Sequence, residues 1–110
     1  MFLRGSDMQN KVKEFNDSKT CHREPMPIQA RLMDIESEIG ELEKEYLKSS
    51  KYGTKEFQMT DDFKEEFGDV IYAILSLSNE VQINAEECLD ISLAKMKRRM
   101  EEKNSFGSGR

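Results

Sequence analysis

Residues 27–48 read PIQARLMDIESEIGELEKEYLK, and this stretch decides the fold. Its apolar side chains recur at steps of three and four residues, which places them on one face of an α-helix. They are Ile28, Leu32, Ile35, Ile39, Leu42 and Tyr46. Pro27 suits the first turn, where the missing N–H of proline costs no helical hydrogen bond. The pattern predicts an amphipathic helix from about Pro27 to Lys48.

Three further helices are predicted on either side of this stretch. The first covers about residues 8–19, and the third covers about residues 60–81, with the hydroxyl of Thr60 as a capping oxygen. Asn84, with Glu87 three residues later, is typical of a capping box at the start of a fourth helix. No β-strand pattern competes with these periodicities, so we expect an all-α fold of four main helices.

The chain is small, acidic and rich in charge. It has 110 residues, a formal net charge of −5, 36% hydrophobic residues and 35% charged residues. One domain of this size buries only a modest share of its surface. Its apolar stripes are also wider than a helical hairpin covers. We therefore expect a four-helix bundle completed by homo-oligomerisation, as a homodimer or as a dimer-of-dimers tetramer.

The ends of the chain and its composition limit the other expectations. Residues 1–7 read MFLRGSD and look like a vector-derived leader, residues 8–103 form the predicted domain, and residues 104–110 (NSFGSGR) form a flexible tail. The main basic cluster, residues 95–99, is too small for a surface that tracks nucleic-acid phosphates. There is no apolar run long enough to span a membrane, and two cysteines are too few for a disulfide scaffold. We expect a cytoplasmic protein that binds neither nucleic acid nor membrane.

Acidic side chains follow the apolar face of two predicted helices. They are Asp34, Glu38, Glu41 and Glu45 on the second helix, and Asp62, Glu66 and Asp69 on the third. Like charges three or four residues apart on a helix repel each other, so a cation is expected between them. A solvated acidic face is the alternative, because 22 acidic residues make such pairs common by chance.

The two acidic pairs lie in the same local string. Residues 38–42 read EIGEL and residues 66–70 read EFGDV. A glycine inside a helix costs about 1 kcal/mol relative to alanine. We therefore predict that the two helices approach each other closely at Gly40 and Gly68, so that four carboxylates converge. A site made of carboxylate oxygens alone suits Mg²⁺, with Mn²⁺ as a substitute, and is wrong for structural Zn²⁺.

The motif E-x-x-E, a spacer of 24 residues (42–65) and E-x-x-D resembles the MazG-like nucleoside triphosphate pyrophosphohydrolases, an all-α family. Lys95, with Arg99 four residues later in the last helix, is also similar to the family pattern. The resemblance covers about Pro27 to Arg99. Ser37 departs from the pattern, because the family often has a second glutamate directly before the first acid of the motif.

The resemblance implies Mg²⁺-dependent hydrolysis of (deoxy)nucleoside triphosphates to the monophosphate and pyrophosphate, with nucleotide-pool house-cleaning as the role. It implies that Glu38, Glu41, Glu66 and Asp69 bind the metal. Glu38 or Glu41 would also orient or deprotonate the attacking water, and both are candidate catalytic residues. Lys95 and Arg99 would hold the phosphates. We expect the base to be read loosely, since no base-reading motif is recognisable.

Several alternative functions are compatible with a small, acidic, helical chain. A diiron carboxylate bundle needs Glu-x-x-His pairs, and His22 is the single histidine. The pair Cys21-His22 lacks a second Cys/His pair for a metal site. The related phosphoribosyl-ATP pyrophosphohydrolases typically carry Ala-Asp and a nearby histidine after the second motif. Here Gly68 precedes Asp69 and no histidine follows, which argues against that activity. A non-catalytic, helical, homo-oligomeric interaction module with solvated acidic faces stays open as the alternative function.

Overall fold

A computed structural model describes residues 7–18 and 27–106, with only the backbone described at residues 105 and 106. The described residues form four helices and no strand: α1 (Asp7–Asp17), α2 (Ile28–Ser49), α3 (Asp61–Glu80) and α4 (Ala85–Phe106). The all-α expectation is confirmed. Residues 1–6 of the predicted leader, and the pair at residues 21 and 22, lie outside the described residues.

Short polar side chains begin two of the helices where the sequence predicts them. The backbone N–H of Phe63 donates to Oγ1 of Thr60 at 3.0 Å. The backbone N–H of Glu87 donates to Oδ1 of Asn84 at 3.0 Å. Each bond satisfies an N–H group that the helix itself leaves without a partner. The end of α4 differs from the expectation, because the helix continues past residue 103 to Phe106, and residues 107–110 of the predicted tail lie outside the described residues.

Helix α3 is the centre of the fold. Both α2 and α1 pack against it, and α2 runs antiparallel to it, since Arg31 near the start of α2 contacts Glu80 at the end of α3. Among the described residues the buried hydrophobic side chains are Ala73 and Leu75, both on α3. The chain by itself therefore has a very small apolar core.

Polar side chains hold α1 in place. Gln9 is fully buried, and its amide donates to the carbonyl of Ile83 at 2.7 Å and accepts from the N–H of Ala85 at 2.9 Å. Further along α1, Asn16 accepts a hydrogen bond from the hydroxyl of Tyr72 on α3. These contacts tie α1 to α3 and to the turn between α3 and α4. The hydrophobic periodicity did not predict these buried amides, because it identifies buried positions by apolar side chains only.

Helix α4 packs little against the other helices, and its apolar side chains are exposed. They are Leu89, Ile91, Leu93, Met96 and Met100. The radius of gyration is 17.9 Å, whereas a compact domain of this length has about 13 Å. The single chain is therefore elongated, and α4 does not join a closed bundle within it. None of the described helices combines the length and the apolarity that crossing a membrane requires.

Candidate metal centre

Three of the four predicted metal-binding carboxylates come together between α2 and α3. Glu38, Glu66 and Asp69 each offer one oxygen, and these oxygens lie within 4.8 Å of one another. Glu38 and Glu66 are partly buried, and Asp69 is exposed. The antiparallel packing of the two helices creates this arrangement, because each helix turns its acidic stripe toward the edge of the helix–helix contact.

Two of the three carboxylates, Glu38 and Glu66, have raised pKa values. Partial burial, followed by the charge of Asp69, raises the pKa of Glu38 above its ordinary value. Partial burial, again followed by the charge of Asp69, raises the pKa of Glu66. Both shifts have the same physical cause: the ionised form is deprived of water and lies beside other negative charges. The cluster is therefore a site of negative potential that a bound cation would relieve.

One carboxylate oxygen of Glu66 lacks a hydrogen-bond partner within the described part of the chain. Oε2 of Glu66 is buried and has no hydrogen-bond partner among the described residues. An acceptor shielded from water and left without a partner is unfavourable, and the more so when it is charged. The group of three offers carboxylate oxygens alone, which is the ligand type that Mg²⁺ and Mn²⁺ prefer. The residues present therefore fit a hard divalent cation held by Glu38, Glu66 and Asp69.

Two further glutamates on α2 lie beside this group. Glu41, the fourth predicted ligand, is about half exposed, lies outside the group of three and pairs with Lys44 at 3.3 Å. Glu45, which the sequence placed on the acidic stripe without a metal role, has a side chain only 17% exposed. Both charges contribute to the raised pKa of Glu66. The four-residue spacing from Glu41 to Glu45 was the signal that a further acid lies on this face.

The expectation about the glycines is wrong for the single chain. A Cβ atom added at Gly40 or at Gly68 would meet nothing within 4 Å. Neither glycine therefore lies at a close approach between α2 and α3. The acids converge because their own spacing places them on one face of each helix. Each glycine directly precedes an acid of its motif and therefore points about 100° away from that acid around the helix.

Lys95 and Arg99 lie on one side of α4, exposed, and make no hydrogen bond or ion pair in the described part of the chain. Because α4 packs little against α2 and α3, the structure does not bring these cations to the carboxylates within one chain. Their predicted contact with phosphate stays a prediction.

An aromatic cluster closes the end of the α2–α3 pair beyond Glu45. The rings of Tyr46 and Phe57 are stacked with centroids 5.9 Å apart, and Phe57 meets Phe63 edge-on at 4.9 Å. Aromatic pairs of this geometry stabilise beyond the area they bury. The cluster fixes the segment between α2 and α3 at the end of the helix pair where the acids lie.

Comparison with known proteins places the chain in a family without assigning it a function. No protein-family profile matches the chain, and no solved structure matches it. The chain is 34% identical over 88 residues to the uncharacterized protein YpjD of Bacillus subtilis (strain 168), and the match covers 76% of this chain and 75% of that protein. At this identity and coverage, the chain belongs to the same family as the uncharacterized protein YpjD.

Proposed function

We propose that the chain is a Mg²⁺-dependent pyrophosphohydrolase that converts (deoxy)nucleoside triphosphates to the monophosphate and pyrophosphate. The observation that carries the proposal is the convergence of Glu38, Glu66 and Asp69, together with a buried oxygen of Glu66 that has no partner among the described residues. The resemblance of the E-x-x-E and E-x-x-D strings to the MazG-like enzymes supplies the substrate class.

An acidic site binds a triphosphate only through cations, because carboxylates and phosphates repel each other. Bound Mg²⁺ supplies charge neutralisation of the phosphates and activation of a water. Glu38, Glu66 and Asp69 hold the metal in this proposal. Glu41, outside the group of three but adjacent to it, is left to orient the attacking water and accept its proton. This assigns the role of general base to the one motif acid that is not required as a ligand.

Replacement of single carboxylates by amides tests the proposal. Glu38→Gln and Asp69→Asn keep the size of the side chain and remove a charged ligand. Pyrophosphate release from a panel of (deoxy)nucleoside triphosphates should fall by about 100-fold or more, as when a single group stabilising a transition state is lost. The stabilisation by Mg²⁺, measured as the shift in melting temperature, should shrink in the same variants, because a ligand stabilises only by binding the folded state.

Glu87→Gln is the matched control. Glu87 and Asp90 form an acidic pair at the same spacing on α4, outside the candidate site. This variant should keep wild-type activity and the wild-type response to Mg²⁺. Wild-type turnover in both Glu38→Gln and Asp69→Asn would refute the proposed function.

The exposed apolar stripes support assembly with a second copy. Large apolar side chains are exposed on α2, α3 and α4 at helical spacing, among them Ile28, Leu32, Ile39, Tyr46, Phe67, Ile74, Leu93 and Met96. The chain exposes 8843 Å², about 2,500 Å² more than the roughly 6,300 Å² of a compact monomer of this mass. A standard interface covers about 800 Å² per partner. We propose a homodimer or a dimer of dimers in which α4 packs on a second copy.

Such an assembly could also bring positively charged side chains to the carboxylates. Lys95 and Arg99 belong to the helix that does not pack within its own chain, so α4 of one copy can bring them to the carboxylates of another. The homo-oligomeric interaction module without catalysis is the second candidate function, favoured by the same apolar stripes. It gives no account of the unpartnered Glu66 oxygen.

A further inference from the structure

One ion pair joins the two helices that carry the candidate metal ligands. The guanidinium of Arg31 on α2 contacts Glu80 on α3 through two bonds, Nη2 to Oε2 at 2.7 Å and Nε to Oε1 at 3.4 Å. The other ion pairs of the described residues lie within single helices. A bidentate pair of this kind fixes direction as well as distance, because the guanidinium is planar and rigid.

The Arg31 side chain is only 3% exposed, and that of Glu80 is 27% exposed. A charge removed from water in this way must keep its partner, since breaking a buried pair leaves an uncompensated charge. Any sliding or rotation of α2 along α3 that separates Arg31 from Glu80 therefore carries a large penalty. Asp34, one turn further along α2, accepts a second contact from Arg31 at 3.4 Å.

The aromatic cluster holds the α2–α3 pair at one end, but few hydrophobic side chains are fully buried along the rest of the two helices. The buried hydrophobic side chains of the described residues are Ala73 and Leu75, and alanine offers little shape to interlock. A shift of α2 by one residue would move Glu38 by about 1.5 Å along the helix and about 100° around it. The group of three carboxylates would not survive such a shift. Arg31 lies seven residues, close to two turns, before Glu38 and so faces the same side.

We propose that the Arg31–Glu80 pair is a positioning device that sets the alignment of α2 on α3 and thereby holds Glu38 opposite Glu66 and Asp69. Neither residue touches the metal or the substrate. The inference rests on the proposed metal-binding function, because it concerns the geometry of that site. It predicts that metal affinity depends on two side chains that are not ligands.

The test is the affinity for Mn²⁺, measured by electron paramagnetic resonance well below the melting temperature. Glu80→Gln removes the charge but keeps an oxygen that accepts a hydrogen bond, and Asp34 remains as a carboxylate partner of Arg31, so we expect a less stable variant that still folds. Its Mn²⁺ affinity should fall by at least about tenfold, the lower end of the effect seen for residues that orient metal ligands. Arg31→Lys keeps the charge but loses the bidentate geometry, and its affinity should lie between those of Glu80→Gln and the wild type.

Asp17→Asn is the matched control. It breaks the Lys13–Asp17 pair, which has the same 2.7 Å length but is more exposed and lies within α1 alone. This variant should bind Mn²⁺ as the wild type does. If the wild type binds no Mn²⁺, the proposed function fails and this inference with it. If the wild type binds Mn²⁺ and Glu80→Gln binds it equally well despite a lower melting temperature, the pair is only a structural support and the inference is overturned.

Discussion

At the scale of single residues, the raised pKa values of Glu38 and Glu66 link stability to pH. In the unfolded chain both glutamates titrate near the ordinary value of about 4.3. The folded chain therefore holds more protons between that pH and the raised values. Stability from these two groups is greatest below the ordinary pKa and falls as the pH rises through the raised pKa values. Above those values the metal-free protein carries the full repulsion.

We predict that the metal-free Glu66→Gln variant loses this part of the pH dependence. Relative to the wild type, its melting temperature should gain most above the raised pKa of Glu66 and least at lower pH. The measurement is a series of thermal melts across pH in the presence of a chelator. An equal difference between the two proteins at every pH would show that repulsion within the cluster does not act on stability. Added Mg²⁺ should stabilise the wild type in the opposite direction, increasingly as the pH rises and the carboxylates ionise.

At the scale of the helices, Gly40 and Gly68 lie inside α2 and α3 with open space where a side chain would be. Alanine at either position should stabilise the helix by about 1 kcal/mol, which corresponds to roughly 4–8 °C in melting temperature for a domain of this size. Gly53→Ala is the control of opposite sign, because Gly53 has a φ of 81° and alanine is strained there. The measurement is the melting temperature of the three variants, which should rise for Gly40→Ala and Gly68→Ala and fall for Gly53→Ala.

A fall in melting temperature for Gly40→Ala or Gly68→Ala would contradict the open-space account. Such a fall would mean either that a second copy approaches the helix at that glycine and leaves no room for a methyl group, or that the alanine strains the helix. Oligomeric state measured on the same variants would distinguish a lost interface from a strained helix.

The sequence predicted the helices better than it predicted how they pack. Periodicity and caps such as Thr60 and Asn84 are local signals, so all four helices were found near their observed bounds. Spacing also sufficed to align Glu38 with Glu66 and Asp69. The buried side chain of Gln9 was missed, because its partners are 74 and 76 residues away in sequence.

The position of α4 was missed for a related reason. Its apolar stripe predicts that the helix is covered, but a stripe does not say whether the covering surface belongs to the same chain. In the structure that surface is not supplied by α1, α2 or α3, since Leu93 and Met96 remain exposed. The glycines show the opposite case: the repeat around Gly40 and Gly68 is local, and it does not mark a close contact between α2 and α3.

At the scale of the whole molecule, the proposed assembly would cover the apolar side chains that the elongated chain leaves exposed. Few folded monomers expose so many large apolar side chains. A closed homodimer with two-fold symmetry would cover the same face on both copies and would place each α4 against its partner. Multi-angle light scattering at micromolar concentration should give twice or four times the mass of 12.8 kDa. A monodisperse monomer would contradict the assembly.

Mixing two inactive variants tests whether α4 completes the site of the partner. Glu38→Gln damages the carboxylates of one chain, and Arg99→Ala damages its α4. Suppose that each site uses the carboxylates of one chain and α4 of its partner. In a mixed dimer, the Arg99→Ala chain then supplies intact carboxylates and the Glu38→Gln chain supplies an intact α4, so one of the two sites is whole. Unfolding and refolding the variants together should then restore about one quarter of wild-type activity, because half the dimers are mixed and each has one whole site of two. If each chain used its own α4, both sites of every mixed dimer would stay damaged and no activity would return. A mixture of Glu38→Gln with Asp69→Asn is the control, since both changes damage carboxylates and neither arrangement yields a whole site.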